Sequence, residues 1–336
     1  MSIPPSWRAL AALALVLSAW SAGAAAGGGV TIPLPARPLA FELEHPAAPL
    51  EPASLTLEDS TRGTLAGPLV LHGGRDYDWR VLWRPGHAML PRRESTLVLR
   101  LDMGGPFRES ECRVLWAERS PEPCSGRLSL PAASGSGRST LTLLLSVAEG
   151  GAATVWPLAV VPVTVEPVPA PSTLSDARIR EVFGADAVRL NVRFRLGPGA
   201  ALEIPVPEGV PFSRAGFVGS MAWLPRQDRL RGAGRLMAEF QALEDGQDGE
   251  TLSFPIRLGV ETLQTDHEAF DRETTLEKDA VPLFDTWTVD GPGGPSPRSN
   301  YHAVFAPGRR FVPRALRVAL VADEGVLQVD ELVLLP

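Results

Sequence analysis

The feature that most constrains this chain is an alternation of apolar and polar side chains with a period of two residues. Along residues 96–103, Leu97, Leu99 and Leu101 share one face, and residues 140–147 repeat the pattern. Such alternation is typical of strands with one buried face. Glycine and proline clusters, which favour turns, separate these segments. The pattern predicts an all-β protein of sandwiches or barrels, and we expect two β-sandwiches.

A proline-rich stretch predicts where the chain divides. Residues 160–171 have the pattern of a last strand that continues into a stiff, extended linker. A short connecting helix is predicted over residues 174–183, because residues 173–176 can form a capping box and Gly184 stands where a helix ends. We therefore predict an N-terminal sandwich of the immunoglobulin-like or jelly-roll type over residues 30–170, a linker with this helix over residues 171–186, and a C-terminal sandwich over residues 187–336.

Strand patterns resume after the helix. They are expected at residues 188–196, 201–206, 234–243, 251–263, 301–305, 316–321 and 326–335. Residues 290–300 are rich in glycine and proline, which predicts an irregular loop. Loops of this length are often functional or disordered.

The first 26 residues have the three parts of a secretory signal peptide. Arg8 precedes an apolar run over residues 9–20, and the small residues that follow include Ala22-Gly23-Ala24, which matches an A-x-A cleavage site. The apolar run is short for a membrane-spanning helix, which needs about 20 residues. An uncleaved anchor is the alternative. We expect an exported protein, periplasmic or extracellular, that does not span the membrane after cleavage.

The sequence contains two cysteines, Cys112 and Cys124. Two cysteines this close together, in an oxidising compartment, predict one disulfide. A metal pair or a catalytic thiol is the alternative, but no histidine lies nearby in the sequence. The disulfide is therefore the favoured interpretation.

Charge and motifs exclude several functions. The formal net charge is −7 at pH 7, and without a basic stripe this argues against nucleic acid as the partner. Ser220 follows Gly219 but lacks the second glycine of a nucleophile elbow, and neither H-E-x-x-H nor a Walker loop occurs. Glycoside hydrolysis needs only two acids that meet in space. We expect a non-catalytic protein, with an unrecognised hydrolase or lyase as an alternative.

Two acidic segments stand out near the end of the chain. Residues 266–273 collect acids and a histidine but lack the spacing of a metal motif, so we expect an ordinary charged loop. Asp330 and Glu331 interrupt the apolar alternation of residues 326–335. That interruption predicts a β-bulge.

The last 21 residues also carry a family resemblance. Residues 316–320 and 326–334 are apolar strand patterns joined by Asp323-Glu324-Gly325. This pattern resembles the closing hairpin of galactose-binding-like jelly-roll domains and related carbohydrate-binding modules. Upstream, residues 254–262 and 270–272 resemble the middle of accessory domains found on bacterial envelope glycosyltransferases. The resemblance covers roughly residues 187–336 and implies that the C-terminal sandwich is a jelly roll.

The resemblance also implies ligands. Some of these modules hold a structural calcium ion with an acid on the final strand, which corresponds to Asp330; otherwise no cofactor is expected. Glycan binding needs exposed aromatic faces with amides, acids and arginines beside them. The candidates are Trp223, Trp287, Arg298, Asn300, Tyr301 and His302. The alternative for each aromatic residue is a place in the core or at a sheet edge.

Three functional hypotheses follow. The first is a non-catalytic accessory protein of the cell envelope that binds an envelope polysaccharide or another glycan. The second is a structural or interaction module of an envelope assembly, with envelope proteins as partners. The third is an unrecognised polysaccharide hydrolase or lyase.

Overall fold

We describe the protein from a computed structural model of its 336 residues. The structure describes residues 29–34, 51–61, 63, 65, 68–84, 94–114, 122–135, 137–149, 152–225, 233–244, 251–267, 281–291 and 294–336. The predicted signal peptide, residues 1–26, lies outside these ranges. Within them, no helix has both the length and the apolar character that a membrane span requires.

The first half of the chain forms the strands that we call the first sandwich. They are β1 (Val30–Pro33), β2 (Glu51–Asp59), β3 (Val70–His72), β4 (Asp76–Arg84), β5 (Glu94–Asp102), β6 (Phe107–Val114), β7 (Glu122–Ser129), β8 (Gly137–Glu149) and β9 (Ala152–Glu166). One sheet has the order β1-β2-β4-β7, and the other has the order β3-β9-β8-β5-β6. Apolar side chains from both sheets, such as Trp79 and Leu99, form one core.

The predicted disulfide between Cys112 and Cys124 is confirmed, with the two Cα atoms 5.8 Å apart. Cys112 lies on β6 and Cys124 on β7, which are edge strands of different sheets. The indole nitrogen of Trp79 on β4 also donates a hydrogen bond to the Ser110 hydroxyl on β6, over 2.8 Å. The two sheets are therefore joined by a covalent bond as well as by their shared core.

The second half forms the strands that we call the second sandwich. They are β10 (Val188–Arg189), β11 (Phe194–Leu196), β12 (Ala201–Pro205), β13 (Arg214–Ala222), β14 (Leu236–Glu244), β15 (Thr251–Arg257), β16 (Leu283–Gly291), β17 (Gly294–Phe305), β18 (Pro313–Leu320) and β19 (Val326–Leu335). A six-stranded sheet has the order β10-β19-β13-β17-β16, with β11 also paired to β19. A four-stranded sheet has the order β12-β18-β14-β15. Phe217 and Tyr301 from the first of these sheets share a core with Phe240 and Leu316 from the second.

The helix α1 (Asp176–Phe183) packs on the outer face of the six-stranded sheet. The Ser175 hydroxyl accepts a hydrogen bond from the Arg178 backbone N–H, and Gly184 ends the helix at a positive φ of 100°. Ile179 and Phe183 are buried against Val218 and Val333 of the sheet. The predicted helix is confirmed, although it begins at Asp176 rather than at residue 174.

The prediction of an all-β protein with sandwich-like packing and one short helix is confirmed over the described residues. Each core draws its residues from one side of the segment 167–175. The domain boundaries, the immunoglobulin-like or jelly-roll type of the first sandwich and the jelly-roll type of the second stay predictions.

Two local predictions concern strands β10, β11 and β19. The predicted strand over residues 188–196 is instead two short strands, interrupted where Asn191 adopts a φ of 54°. The predicted β-bulge is confirmed, because Val218 pairs with Glu331 and Gly219 with Val329, which leaves Asp330 as the extra residue.

The prediction of an irregular loop over residues 290–300 is wrong. Residues up to Gly291 belong to β16, and β17 begins at Gly294. The backbone N–H of Ser299 donates to the carbonyl of Thr265 and so faces away from β16. Pro295 and Pro297 share the orientation of Ser299, because they lie four and two residues before it on the same strand. Both prolines are therefore compatible with β17. No ladder hydrogen bond to β16 is lost at either proline.

Candidate functional site

A row of polar side chains crosses the outer face of the six-stranded sheet, beside α1. Its members lie on five different strands, from β11 through β19, β13 and β17 to β16: Arg195, Gln328, Ser220, Asn300 and Asp285. Strand register aligns them, since Arg195 pairs with Gln328, Gln328 with Ser220, and Asn300 with Asp285. Directly paired residues place their side chains on the same face of a sheet. We call this set the polar row.

Hydrogen bonds connect the middle of the polar row. The Gln328 amide donates to the Ser220 hydroxyl over 3.3 Å, and that hydroxyl donates to Oδ1 of Asn300 over 3.2 Å. The side chain of Asn300 also lies close enough to the carboxyl groups of Asp285 and Asp330 to lower the pKa of each. One buried amide therefore lies near two acids, one from β16 and the other from the bulge of β19.

The titration of the groups near Asn300 is shifted by their surroundings. Burial raises the pKa of Asp285 and that of Asp330, although Asn300 and the nearby arginines oppose this. Repulsion from Asp285 raises the pKa of Asp330 further. Burial, followed by the positive charge of Arg178, lowers the pKa of His302. Chemically, the site offers two acids that hold protons more tightly than free carboxyl groups.

The two ends of the polar row are accessible, whereas its middle is buried. Ser220 and Asn300 are buried, while Arg195 is exposed and Asp285 is half-buried. Next to Asp285, the exposed Trp287 pairs across the hairpin with Arg298. Trp287 is 38% exposed, so an indole face lies beside an arginine and an acid at this end.

The structure places four of the six predicted glycan-binding residues on the outer face of the six-stranded sheet: Trp287, Arg298, Asn300 and His302. Trp287 pairs with Arg298, and Asn300 follows Arg298 at the two-residue spacing that keeps side chains on the same side of a strand. The Arg298 guanidinium lies 3.3 Å from the carboxylate of Asp266. This pairing places Asp266, from the charged segment 266–273, beside the hairpin; residues 268–273 lie outside the described ranges.

Tyr301 and His302 have packing roles in the structure. Tyr301 belongs to the buried core between the two sheets. His302 lies on the outer face, where its ring contacts Phe183 edge-on at a centroid distance of 5.7 Å and also meets Phe284. Their roles in glycan binding stay predictions, but both rings already contact protein.

Trp223 lies where the two sandwiches meet. It follows β13, is 57% exposed, and its side chain lies directly over Gly105 of the first sandwich. Gly104, next to Gly105, lines a cleft of about 710 Å³ between the sandwiches, to which Asp102 and Arg138 also contribute. Trp223 therefore contacts the first sandwich at the residue next to one that lines this cleft.

The surroundings of Asp330 do not fit the calcium ion that the family resemblance implies. Arg193 and Arg195 lie within electrostatic range of its carboxyl group, and their positive charges would repel a cation. Calcium is held by several oxygen ligands, usually including more than one carboxylate. Among the residues that the structure describes, no group of three or more His, Cys, Asp or Glu side chains could hold a metal ion.

Ser220 and Gln328 belong to the site but were not predicted from the sequence. The signal that could have found them is weak: each is a polar residue inside a segment of mostly apolar or small residues.

Comparisons with known proteins add little to this geometry. No protein-family model matches the sequence, and no curated protein matches it either. Among solved structures, the chain has a match to the C-terminal domain of AspA, an antigen I/II-family protein of Streptococcus pyogenes. That match covers 85% of this chain and 90% of the other, at 11% identity and a TM-score of 0.22. Such a score supports no argument about fold or function, so the site rests on its own chemistry.

Proposed function

We propose that this protein is an exported, non-catalytic accessory protein of the cell envelope that binds glycan beside Trp287. The observation that carries the proposal is the surface around this side chain. An exposed indole adjoins Arg298 and Asp285 on one face of the β16–β17 hairpin. An aromatic face can stack on a sugar ring, while the arginine and the acid bond to its hydroxyl groups.

Export is supported by the disulfide. Cys112 and Cys124 are bonded, and structural disulfides persist mainly in oxidising compartments such as the periplasm and the cell exterior. Among the described residues, no cysteine is free. A signal peptide over residues 1–26 is the matching part of the proposal.

Affinity electrophoresis against a panel of bacterial envelope polysaccharides tests this function. The wild-type protein should be retarded by at least one polymer. Trp287→Ala should weaken that binding by at least about 1 kcal/mol, roughly fivefold, because it removes an aromatic contact. The far-ultraviolet spectrum should stay unchanged.

The matched control is Phe107→Ala. Phe107 is an exposed aromatic residue on β6 of the first sandwich, with Arg100 over its ring, and its loss should leave retention unaltered. Equal binding by wild type and Trp287→Ala would move the site elsewhere. Retention by no polymer would favour a structural or interaction module with envelope proteins as partners.

One observation favours a second candidate, a polysaccharide hydrolase or lyase. Asn300 lies close to both Asp285 and Asp330, and burial raises the pKa of each acid. Two acids brought together in this way can divide the roles of general acid and base. Release of reducing or unsaturated sugar ends from a retained polymer, lost in Asp285→Asn and Asp330→Asn, would establish this activity.

A further inference from the structure

At one end of the polar row, where the two sandwiches meet, Arg108 and Arg193 lie within electrostatic range of Arg195. Arg193 and Arg195 lie at β11 of the second sandwich, and Arg108 lies on β6 of the first. The backbone N–H of Arg195 donates to the carbonyl of Ala133 over 2.9 Å. That bond holds β11 against the loop between β7 and β8, so residues of both sandwiches contribute to the arginine group.

The positive charges of this group are incompletely compensated. Although Arg195 is exposed as a whole residue, neighbouring atoms displace water from its guanidinium and lower its pKa; Asp330 opposes this, and repulsion from Arg108 and Arg193 lowers the pKa further. The Nε atoms of Arg108 and Arg193 are buried and have no hydrogen-bond partner. Among the described side chains, none of the three guanidinium groups has a carboxylate within 4.0 Å.

Asp330 gives only partial compensation. It is the acid that interacts with Arg195, and its own pKa is raised by burial. One carboxylate can neutralise at most one of the three positive charges. Three arginines therefore face one partly compensating acid, in a protein whose formal net charge is −7. A protein with a negative net charge does not attract anions in general, so an anion can be attracted only locally, by the arginines.

A bound oxyanion would compensate the positive charges of the three arginines. Carboxylate, sulfate and phosphate groups accept the paired N–H bonds of a guanidinium group, and such charge-assisted bonds are stronger than neutral ones. Buried N–H groups without an acceptor are unfavourable, since each loses its bonds to water. A bound oxyanion would supply acceptors and reduce the repulsion among the arginines.

We propose that Arg108, Arg193 and Arg195 bind an oxyanion carried by the ligand, and that the glycan is therefore an acidic polysaccharide. The choice of a glycan as the carrier rests on the function proposed above. The oxyanion site itself rests on the arginine group and stands without it.

The first experiment measures inorganic phosphate binding to the full chain by calorimetry at constant ionic strength. The wild type should bind, and Arg195→Gln and Arg193→Gln should each weaken binding about tenfold, because each removes a charge-assisted hydrogen bond. Arg127→Gln is the control for loss of charge, since Arg127 is exposed on β7 and pairs with Asp78; it should bind as the wild type does. Absence of phosphate binding, or equal binding by all variants, would overturn the oxyanion site.

The second experiment compares polygalacturonate with its carboxyl-reduced, neutral form in affinity electrophoresis. Retention of the acidic polymer alone, weakened by Arg195→Gln, supports the proposal. Equal retention of both polymers, with Trp287→Ala abolishing each, would overturn the preference for acid while glycan binding stands. Retention of neither polymer together with phosphate binding would leave the oxyanion site standing and overturn its assignment to glycan.

Discussion

In the first sandwich, apolar residues that face the core alternate with less buried residues along the strands. In the second sandwich, polar side chains are buried on the outer face of one sheet. Along β5, the leucines face the core and the residues between them are half-buried or exposed. On the six-stranded sheet, Ser220, Asn300 and Glu331 are buried on the face opposite the core. On a sheet face that is exposed to water, polar side chains can bond to water. On a sheet face that is covered by a helix, they need hydrogen-bond partners within the protein.

The two sandwiches also differ in what joins their parts. In the first, a disulfide connects two edge strands. In the second, among the described residues, buried polar contacts such as that between Arg189 and Glu331 connect neighbouring strands. A covalent link acts mainly by restricting the unfolded chain, whereas a buried polar contact acts in the folded state and depends on every partner remaining.

The largest effect is expected at Glu331. Its carboxylate accepts from the Arg189 side chain at 2.8 and 2.6 Å and from the backbone N–H groups of Val192 and Leu332. Glu331→Ala leaves a mostly buried guanidinium and two N–H groups without this acceptor. The free energy of unfolding should fall by about 3–5 kcal/mol, as measured by chemical denaturation.

Its control is Glu203→Ala, which removes the partner of Arg314 from an exposed pair of 3.0 Å. That substitution should cost less than about 1 kcal/mol. Similar losses for the two variants would show that burial of the pair is not what stabilises the second sandwich.

A smaller loss is expected when the first sandwich loses its covalent link. Replacing Cys112 and Cys124 with serine removes a bond between residues 12 positions apart, which should cost about 3 kcal/mol. Calorimetry should show that the transition of the first sandwich moves to lower temperature while that of the second stays. A reducing agent should shift the wild type in the same way and leave the double variant unaffected. Equal shifts of both transitions would mean that the sandwiches unfold as one unit.

The difference between the sandwiches also explains how much of the fold could be predicted. The alternation over residues 96–103 identifies β5 because one of its faces meets the core and the other does not. Strand β13 has no such signal, since nearly all of Arg214–Ala222 is buried on both faces. The hairpin β16–β17 was mistaken for a loop because its prolines are compatible with a strand only when their nitrogens face away from the partner.

The candidate site could be predicted only in part, for a related reason. Trp287, Arg298 and Asn300 lie close together in sequence, and the hairpin keeps them on one face. Ser220 and Gln328 join them only through the strand order β19-β13-β17, which local patterns do not specify. The bulge at Asp330 was predicted correctly because two adjacent acids cannot both follow the apolar alternation.

Replacing glycine with alanine should lower the stability more at Gly105, which lies at the contact between the sandwiches, than at Gly209, which lies in an open turn. Gly105 has a φ of 140°, and a Cβ atom there would lie 2.5 Å from Cβ of Trp223. Gly105→Ala should cost about 2 kcal/mol through strain and displacement of Trp223. Gly209→Ala, at a φ of 73° with nothing within 4 Å, should cost only about 1 kcal/mol. Equal losses would mean that Trp223 moves aside without cost, and fluorescence of the tryptophans would report that movement.

The smallest effect is expected from the pH dependence of the second sandwich. Burial raises the pKa of Asp330 above the 3.8 of a free side chain, so the folded protein holds this proton more tightly than the unfolded chain does. The corresponding stability is present below pH 3.8 and is lost as pH rises through the folded pKa. Asp330→Asn cannot ionise and escapes that loss, so its stability relative to the wild type should be greater at pH 7 than at pH 3.5. Denaturation at both pH values measures the difference, with the exposed Asp323→Asn as control. A constant difference between Asp330→Asn and the wild type would mean that Arg193, Arg195 and Asn300 compensate the charge of Asp330 fully, so that its pKa is the same in the folded and unfolded chains.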